Sequence, residues 1–236
     1  MPCAENVVFK RYKERGSTVK LIEAKRRLDE VVNIPFGEIF KGPNLEWVIN
    51  KGKAGQALEI ILGLQNTPNP LDFEDGELKT NKCDRYGNPK ETVFIAQILS
   101  VIDELIEKRR FEDTHLFEKI SNILYVPVCK EGAPKDWMFL APVHVDTKDA
   151  RFLPLVQIWE SDYYSICDQL KRHIETSADG FIHTSNGFHI QVRSKDAKPY
   201  HPIFSRKYGR FVSNKNHAFY FQKQFVTDIR RFSAAK

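Results

Sequence analysis

The chain has 236 residues, 42% of them hydrophobic and 28% charged, enough to bury a sizeable core in one domain or two lobes and unlike a disordered chain. No run of about 18 apolar residues occurs, which argues against a spanning helix. Net charge is only +5, but residues 190–236 hold eleven Lys or Arg against two Asp or Glu, a net of +9 that leaves −4 for the rest.

Such an asymmetry points to a polyanion docked on one face. The N-terminal MPCAENVVFKRYKERG lacks the apolar core of a signal peptide, so a cytoplasmic protein is expected. Cys3, Cys83, Cys129 and Cys167 stand far apart without a C-x-x-C pair, and the seven histidines show no ligand spacing. Reduced, partly buried thiols are expected, and a zinc cluster is disfavoured.

Residues 17–33 predict an amphipathic helix, with Ser17 or Thr18 as its cap and Val19, Ile22, Leu28, Val31 and Val32 on its apolar face. Residues 51–64 predict a second helix with Leu58, Ile61 and Leu62 as its stripe and Glu59 beside it. From the residues alone, Glu59 is a partly exposed helix glutamate, because a carboxylate next to a buried face is costly without a partner. Turn residues from Asn66 to Pro70 lead into a strand expected over 73–80. After a turn at 86–89, the β-rich run 92–99 is expected to pair back on that strand as a hairpin. Short helices follow over 101–110 and 116–120, strands over 122–128 and 137–143, and a helix over 162–176. Residues 188–193 alternate like a half-buried strand, and 219–232 begins extended and ends as the last helix. The mixture reads as α/β with a central mixed sheet flanked by helices. Neither a P-loop nor a Ser-His-Asp motif with recognisable context is present.

The chemistry concentrates in Asn69–Thr80, NPLDFEDGELKT, which offers Asp72, Asp75, Glu77 and Lys79. On a strand, Glu77 and Lys79 share a face. Two carboxylates suit Mg²⁺, and a lysine beside them can sit against an attacked phosphate, the minimum for hydrolysing a phosphodiester with a metal-activated water. On solvated strands the same spacing also arises as a plain polar face. Downstream, Arg206, Lys207, Arg210 and Lys215 interleave with Tyr200, Phe204, Tyr208 and Phe211. The basic groups are expected to face a nucleic-acid backbone, and Phe211 is expected in the core.

Several blocks occur together in one order: Lys51-Gly52-x-x-Gly55-x-x-Leu58-Glu59-Ile60-x-Leu62-Gly63, then Asp72-Phe73 with Glu77-Leu78-Lys79-Thr80, and then Asp84-x-x-Gly87-x-Pro89-x-Glu91-Thr92-x-Phe94. After them come His115-x-x-x-Lys119 leading into Leu124-Tyr125-Val126-Pro127-Val128, Gln191-Val192-Arg193-x-Lys195, and Phe219-Tyr220-Phe221-x-Lys223-x-Phe225. In these blocks, over about residues 50–230, the chain resembles the MutH-type DNA endonucleases, the mismatch-repair enzyme and the related GATC-cutting restriction endonucleases. The resemblance implies a restriction-endonuclease-like core of the PD-(D/E)xK type, with residues 1–236 forming one endonuclease domain. Two lobes are possible within it, a catalytic part to about 185 and a basic recognition part over 186–236.

The family's first aspartate usually stands seven residues before the glutamate. Here Asp72 stands five before Glu77 and position 70 is proline, so Asp72 or Asp75 takes that role; Asp72 is favoured because Phe73 follows it. The resemblance implies that Asp72 and Glu77 hold Mg²⁺ with the Leu78 carbonyl, and that Glu59 joins the metal site. It further implies that Lys79 orients the nucleophilic water and that Lys119 contacts the scissile phosphate. Arg193 is the candidate for a guanine edge, Lys51 and Lys195 for DNA backbone or bases, Tyr220 for the neighbourhood of an adenine, and Lys223 for a DNA contact. The expected partner is double-stranded DNA, with a cognate DNA methyltransferase in the same system, no membrane, and a monomer or a DNA-induced dimer.

Overall fold

The computed structural model describes residues 19–50, 53–64 and 70–234. The chain divides into two compact units, Met1–Lys90 with Ile123–His144, and Glu91–Asn122 with Val145–Lys236.

In the first unit, α1 (Leu21–Leu28), α2 (Phe36–Ile39), α3 (Pro43–Ile49) and α4 (Lys53–Leu62) accompany β1 (Glu77–Cys83). β1 runs parallel to β3 (Asn122–Cys129), with Glu77 opposite Ile123 and Cys83 opposite Cys129. β4 (Met138–Phe139) pairs antiparallel with β3. This is a mixed sheet flanked by helices, as an α/β chain requires. Because side chains alternate across a strand, Leu78, Leu124, Val126 and Val128 meet one core with Ala54, Ala57, Leu58, Ile61 and Leu62 of α4 and Leu21, Ala24 and Leu28 of α1. Glu77 and Lys79 therefore take the opposite face of β1.

Helix α4 ends in a device spelled out by its own sequence. Gly63 adopts φ +77°, Leu64 N–H reaches the Glu59 carbonyl at 2.8 Å and Gly63 N–H the Ile60 carbonyl at 3.0 Å. That is the Schellman pattern, which needs a left-handed residue after the last turn. The buried Arg27 guanidinium also donates to the Leu62 carbonyl and pairs with Glu23. A Cβ on Gly63 would lie 2.2 Å from Arg27 Nη1, so the glycine is required by both space and conformation.

In the second unit, β2 (Val93–Gln97), α5 (Ile102–Ile106) and α6 (His115–Ile120) precede β5 (Val143–Asp146), which spans the boundary between the units. The long α7 (Leu153–Thr176) follows, then β6 (Ser185–Asn186), β7 (Ile190–Ser194), β8 (Ile203–Ser205), β9 (Arg210–Ser213), β10 (His217–Phe221) and α8 (Lys223–Ala234). The antiparallel sheet has the order β2-β10-β7-β6, and β8 and β9 form a separate two-stranded ribbon. Asp162, on α7, accepts the N–H groups of Phe188, His189 and Ile190 at 2.6, 2.7 and 2.9 Å and so fixes where β7 begins.

Several expectations are corrected. The strand expected over 73–80 starts only at Glu77, because Asp72 and Asp75 bond backbone N–H groups and Phe73–Gly76 closes a turn. β2 does not fold back on β1; its antiparallel partner is β10, with Phe94 opposite Tyr220, and β1 pairs with β3 instead. The helix over 162–176 begins at Leu153, since Pro154 sits in the first turn, where a missing N–H costs nothing. Helix α1 has Lys20 at its N-cap without a side-chain bond, and Asp75 receives the Leu21 N–H at 2.8 Å. Ser17 and Thr18 lie outside the described residues. Phe211 is 53% exposed rather than core. In the ribbon, Ile203, Ser205 and Val212 are covered while Phe204 and Phe211 touch edge to face on the open side. Cys83, Cys129 and Cys167 are buried thiols outside any disulfide, and no helix among the described residues is long and apolar enough to cross a membrane.

Candidate active site and nucleic-acid interface

Glu77 and Lys79 stand two apart on β1, 2% and 7% exposed, with Lys79 Nζ 2.5 Å from Glu77 Oε2. A buried carboxylate and a buried ammonium each need the other, since neither is solvated by water. Asn81 continues the same face and accepts the Tyr125 hydroxyl from β3. Immediately upstream, Asp72 Oδ2 accepts the Leu78 N–H at 3.0 Å, which holds its carboxylate beside the first residues of β1 while leaving it exposed. Asp75 is turned away to the start of α1.

Glu59 lies on the exposed side of α4, yet its carboxyl is held above the ordinary glutamate range. Loss of surrounding water contributes most, and the neighbouring Asp72 charge adds to it. Gly55, one turn earlier on the same helix, would carry a Cβ 3.5 Å from Thr80 Oγ1, so α4 passes close over β1 there. Thus Glu59 and Asp72 are electrostatic neighbours, and Asp72 is held at the entry to the strand that carries the Glu77–Lys79 pair.

Among the described residues no group of three or more His, Cys, Asp or Glu side chains is arranged to hold a metal. Mg²⁺ does not demand one: it commonly takes one or two carboxylates and keeps several waters. Asp72, Glu77 and the Leu78 carbonyl are oxygen donors, the chemistry that a hard divalent cation prefers.

The turn after β1 is built on Asp84. Its carboxylate accepts N–H groups from Tyr86 and Asn88, the Asn88 side-chain amide and Lys90 Nζ, at 2.8–3.0 Å, and Gly87 supplies φ +78°. Burial opposes ionisation here, but the bonds from Asn88, Lys90 and Tyr86 outweigh it and bring the pKa from 3.8 down to about 2. The folded value is depressed, so the turn's contribution is present above pH 3.8 and is lost as pH falls through about 2. The Tyr86 and Asn88 amide resonances should titrate near that lower value, and a midpoint near 3.8 would contradict the network.

The second unit carries the remaining residues. Lys119 lies in the last turn of α6, whose first turn is capped by Thr114 Oγ1 accepting Phe117 N–H. On the sheet, Arg193 of β7 lies over the Tyr220 ring of β10, 4.1 Å from the centroid, and donates from Nη2 to Thr92 Oγ1 at 2.9 Å. Lys195 Nζ lies 3.1 Å from the centroid of Phe94 on β2, and Phe94 meets Tyr220 edge-on at 5.7 Å. Arg193, Lys195 and Tyr220 are therefore brought together, while Lys223 starts α8 and is exposed. Lys51 lies outside the described residues. The roles of Arg27, Thr92 and Phe94 were not foreseen. The two-residue spacing of Thr92 and Phe94 at the start of the β-rich run 92–99 was the available signal.

The first unit thus sets a buried carboxylate and a buried lysine at the start of a parallel strand, with a second carboxylate at its entry. Residues 64–136 match the family model described as DNA mismatch repair enzyme MutH. The likeness to that family is thus limited to residues 64–136 of the 236. It includes Asp72, Glu77, Lys79 and Lys119; Glu59 and the residues of β7 and β10 lie beyond it. No match was found among curated proteins.

Proposed function

We propose that the chain is a Mg²⁺-dependent, sequence-specific endonuclease of double-stranded DNA with a PD-(D/E)xK core, a type II restriction enzyme cutting at GATC or a related short site and leaving a 5′ phosphate. The observation that carries this reading is the placement of Glu77 and Lys79 on one buried face of β1 with Asp72 at its entry. Asp72 is preferred to Asp75 because Asp75 is engaged by α1, whereas Asp72 adjoins Glu77 and acts on Glu59.

Asp72, Glu77 and the Leu78 carbonyl would hold the cation, with Glu59 completing the negative surround. When bound, Mg²⁺ supplies positive charge that polarises the phosphate and lowers the cost of deprotonating water. Lys79 donates to the attacking water and favours its loss of a proton. Lys119 donates to a non-bridging oxygen of the scissile phosphate, where charge grows as the bond to the 3′ oxygen breaks. Arg193 donates its two-pronged fork to guanine O6 and N7. Lys195, Lys51 and Lys223 neutralise backbone or meet base edges, and the exposed Arg206 and Lys207 add to the charge of residues 190–236.

Supercoiled plasmid incubated with the pure protein and Mg²⁺ tests this. Efficient double-strand cleavage without a partner protein, at one short sequence read from the fragment ends, is expected. Feeble nicking confined to hemimethylated sites would point instead to a mismatch-repair nickase, and selective binding without any cleavage to a DNA-binding module.

A further inference from the structure

Strand β2 and Thr92 just before it have no role in the endonuclease reading. We propose that Thr92 and Phe94 are specificity-determining positioning residues, which hold the Arg193 fork and the Lys195 ammonium in their DNA-reading geometry before DNA arrives. The inference rests on the reading of the chain as a sequence-specific endonuclease.

Three observations support it. Arg193 is fixed at two points, by the Thr92 hydroxyl at 2.9 Å and by the Tyr220 ring at 4.1 Å from its centroid. A guanidinium stacked on a ring and bonded at one Nη has lost most of its rotational freedom, while its remaining donors stay available. Lys195 rests on Phe94, and Phe94 in turn braces Tyr220 edge-on, so the two cations share one aromatic support. Tyr220 is only 8% exposed, which makes it a fixed platform rather than a mobile contact. The register explains why β2 serves both: β10 pairs with β2 on one side and β7 on the other, so the side chains of Phe94, Tyr220 and Arg193 meet across three strands.

Ordering a long side chain costs up to about 2 kcal/mol in rotamer freedom. Where that ordering precedes binding, the correct base receives the full benefit of the bidentate contact, and a wrong base faces a fork unable to swing aside. Without Thr92, the guanidinium is free to seek phosphate in place of a base, which binds DNA as well but reads it worse.

The test compares wild type with Thr92→Val, which keeps shape and removes the hydroxyl, and Thr92→Ser, which restores it. kcat/KM is measured on the duplex identified from fragment ends and on duplexes with its guanine pair replaced. Thr92→Val is expected to lower discrimination about tenfold or more, in line with the loss of one well-formed base contact, with kcat on the best duplex and the melting temperature unchanged; Thr92→Ser is expected to recover it. Selective cleavage by wild type together with unchanged discrimination in Thr92→Val overturns the positioning role alone. A wild-type protein that cleaves no duplex with Mg²⁺ or Mn²⁺ overturns the endonuclease reading, and this inference with it.

Discussion

Lys79→Ala is expected to reduce cleavage by at least about 10²-fold, the usual cost of removing a donor aimed at developing charge, while affinity for the target duplex stays near wild type. The reason binding survives is that Arg193, Lys195 and the basic residues of 190–236 are untouched. A second effect follows from burial. Lys79 and Glu77 form an ion pair at 7% and 2% exposure, so removing the ammonium takes the opposite charge from a buried carboxylate. Breaking such a pair costs about 3–5 kcal/mol, and the variant should melt well below wild type. A divalent cation can take the ammonium's place beside Glu77. Mg²⁺ should therefore raise the melting temperature of Lys79→Ala more than that of wild type, by mass action on the folded state. The measurements are gel cleavage rates, fluorescence anisotropy with labelled duplex, and melting curves with and without Mg²⁺. Cleavage at the wild-type rate would remove Lys79 from the mechanism.

Asp162→Ala is expected to be the most damaging single change outside the carboxylate cluster. Its carboxylate, in a residue 5% exposed, accepts three consecutive N–H groups at 2.6–2.9 Å. Each buried donor left without an acceptor costs about 1–3 kcal/mol, so a loss of about 4 kcal/mol or more is expected, a large share of the 5–15 kcal/mol of an ordinary domain. No neighbouring side chain can step in easily, because Gly187 closes over the carboxylate so tightly that a Cβ there would lie 2.3 Å from it. The three donors open β7, the strand that carries Arg193. Selective DNA binding should therefore fail at a denaturant concentration where wild type is still folded. Asp162→Asn keeps one acceptor oxygen and should lose less. Urea unfolding curves check the order wild type, Asn, Ala, and equal midpoints would show that the N–H groups find other partners.

Segments whose apolar residues repeat on their own were legible in the sequence. Leu116 and Ile120 mark α6, the apolar run Ile123–Val128 marks β3, and Phe225, Val226 and Ile229 mark α8. What was hidden depends on contacts distant in sequence. Nothing local tells Val93–Gln97 to pair with His217–Phe221, and a hairpin with the preceding strand is the shorter closure. Phe211 reads as core because it is aromatic, but a two-stranded ribbon buries one face and leaves the other to water. That Glu77 and Lys79 share one face of β1 follows from strand alternation alone. Asp72 was favoured over Asp75 by the Phe73 that follows it, but the bond from Leu21 N–H that engages Asp75, 54 residues away, is a contact that no motif records.

The cap at the end of α4 has a consequence for how the chain tolerates change. A helix clamped at its last turn by Gly63, Leu64 and Arg27 cannot slide along or turn about its axis, so the direction of every side chain on it is counted backwards from that clamp. Glu59 sits one turn away. Adding or deleting a single residue between Gly55 and Gly63 would swing residues on one side of the change by about 100° relative to the other, carrying Glu59 away from Asp72 or Gly55 away from Thr80. The spacing between those two glycines thus works as a ruler. Substitutions along α4 are graded by size and polarity, whereas a change in its length is all or nothing.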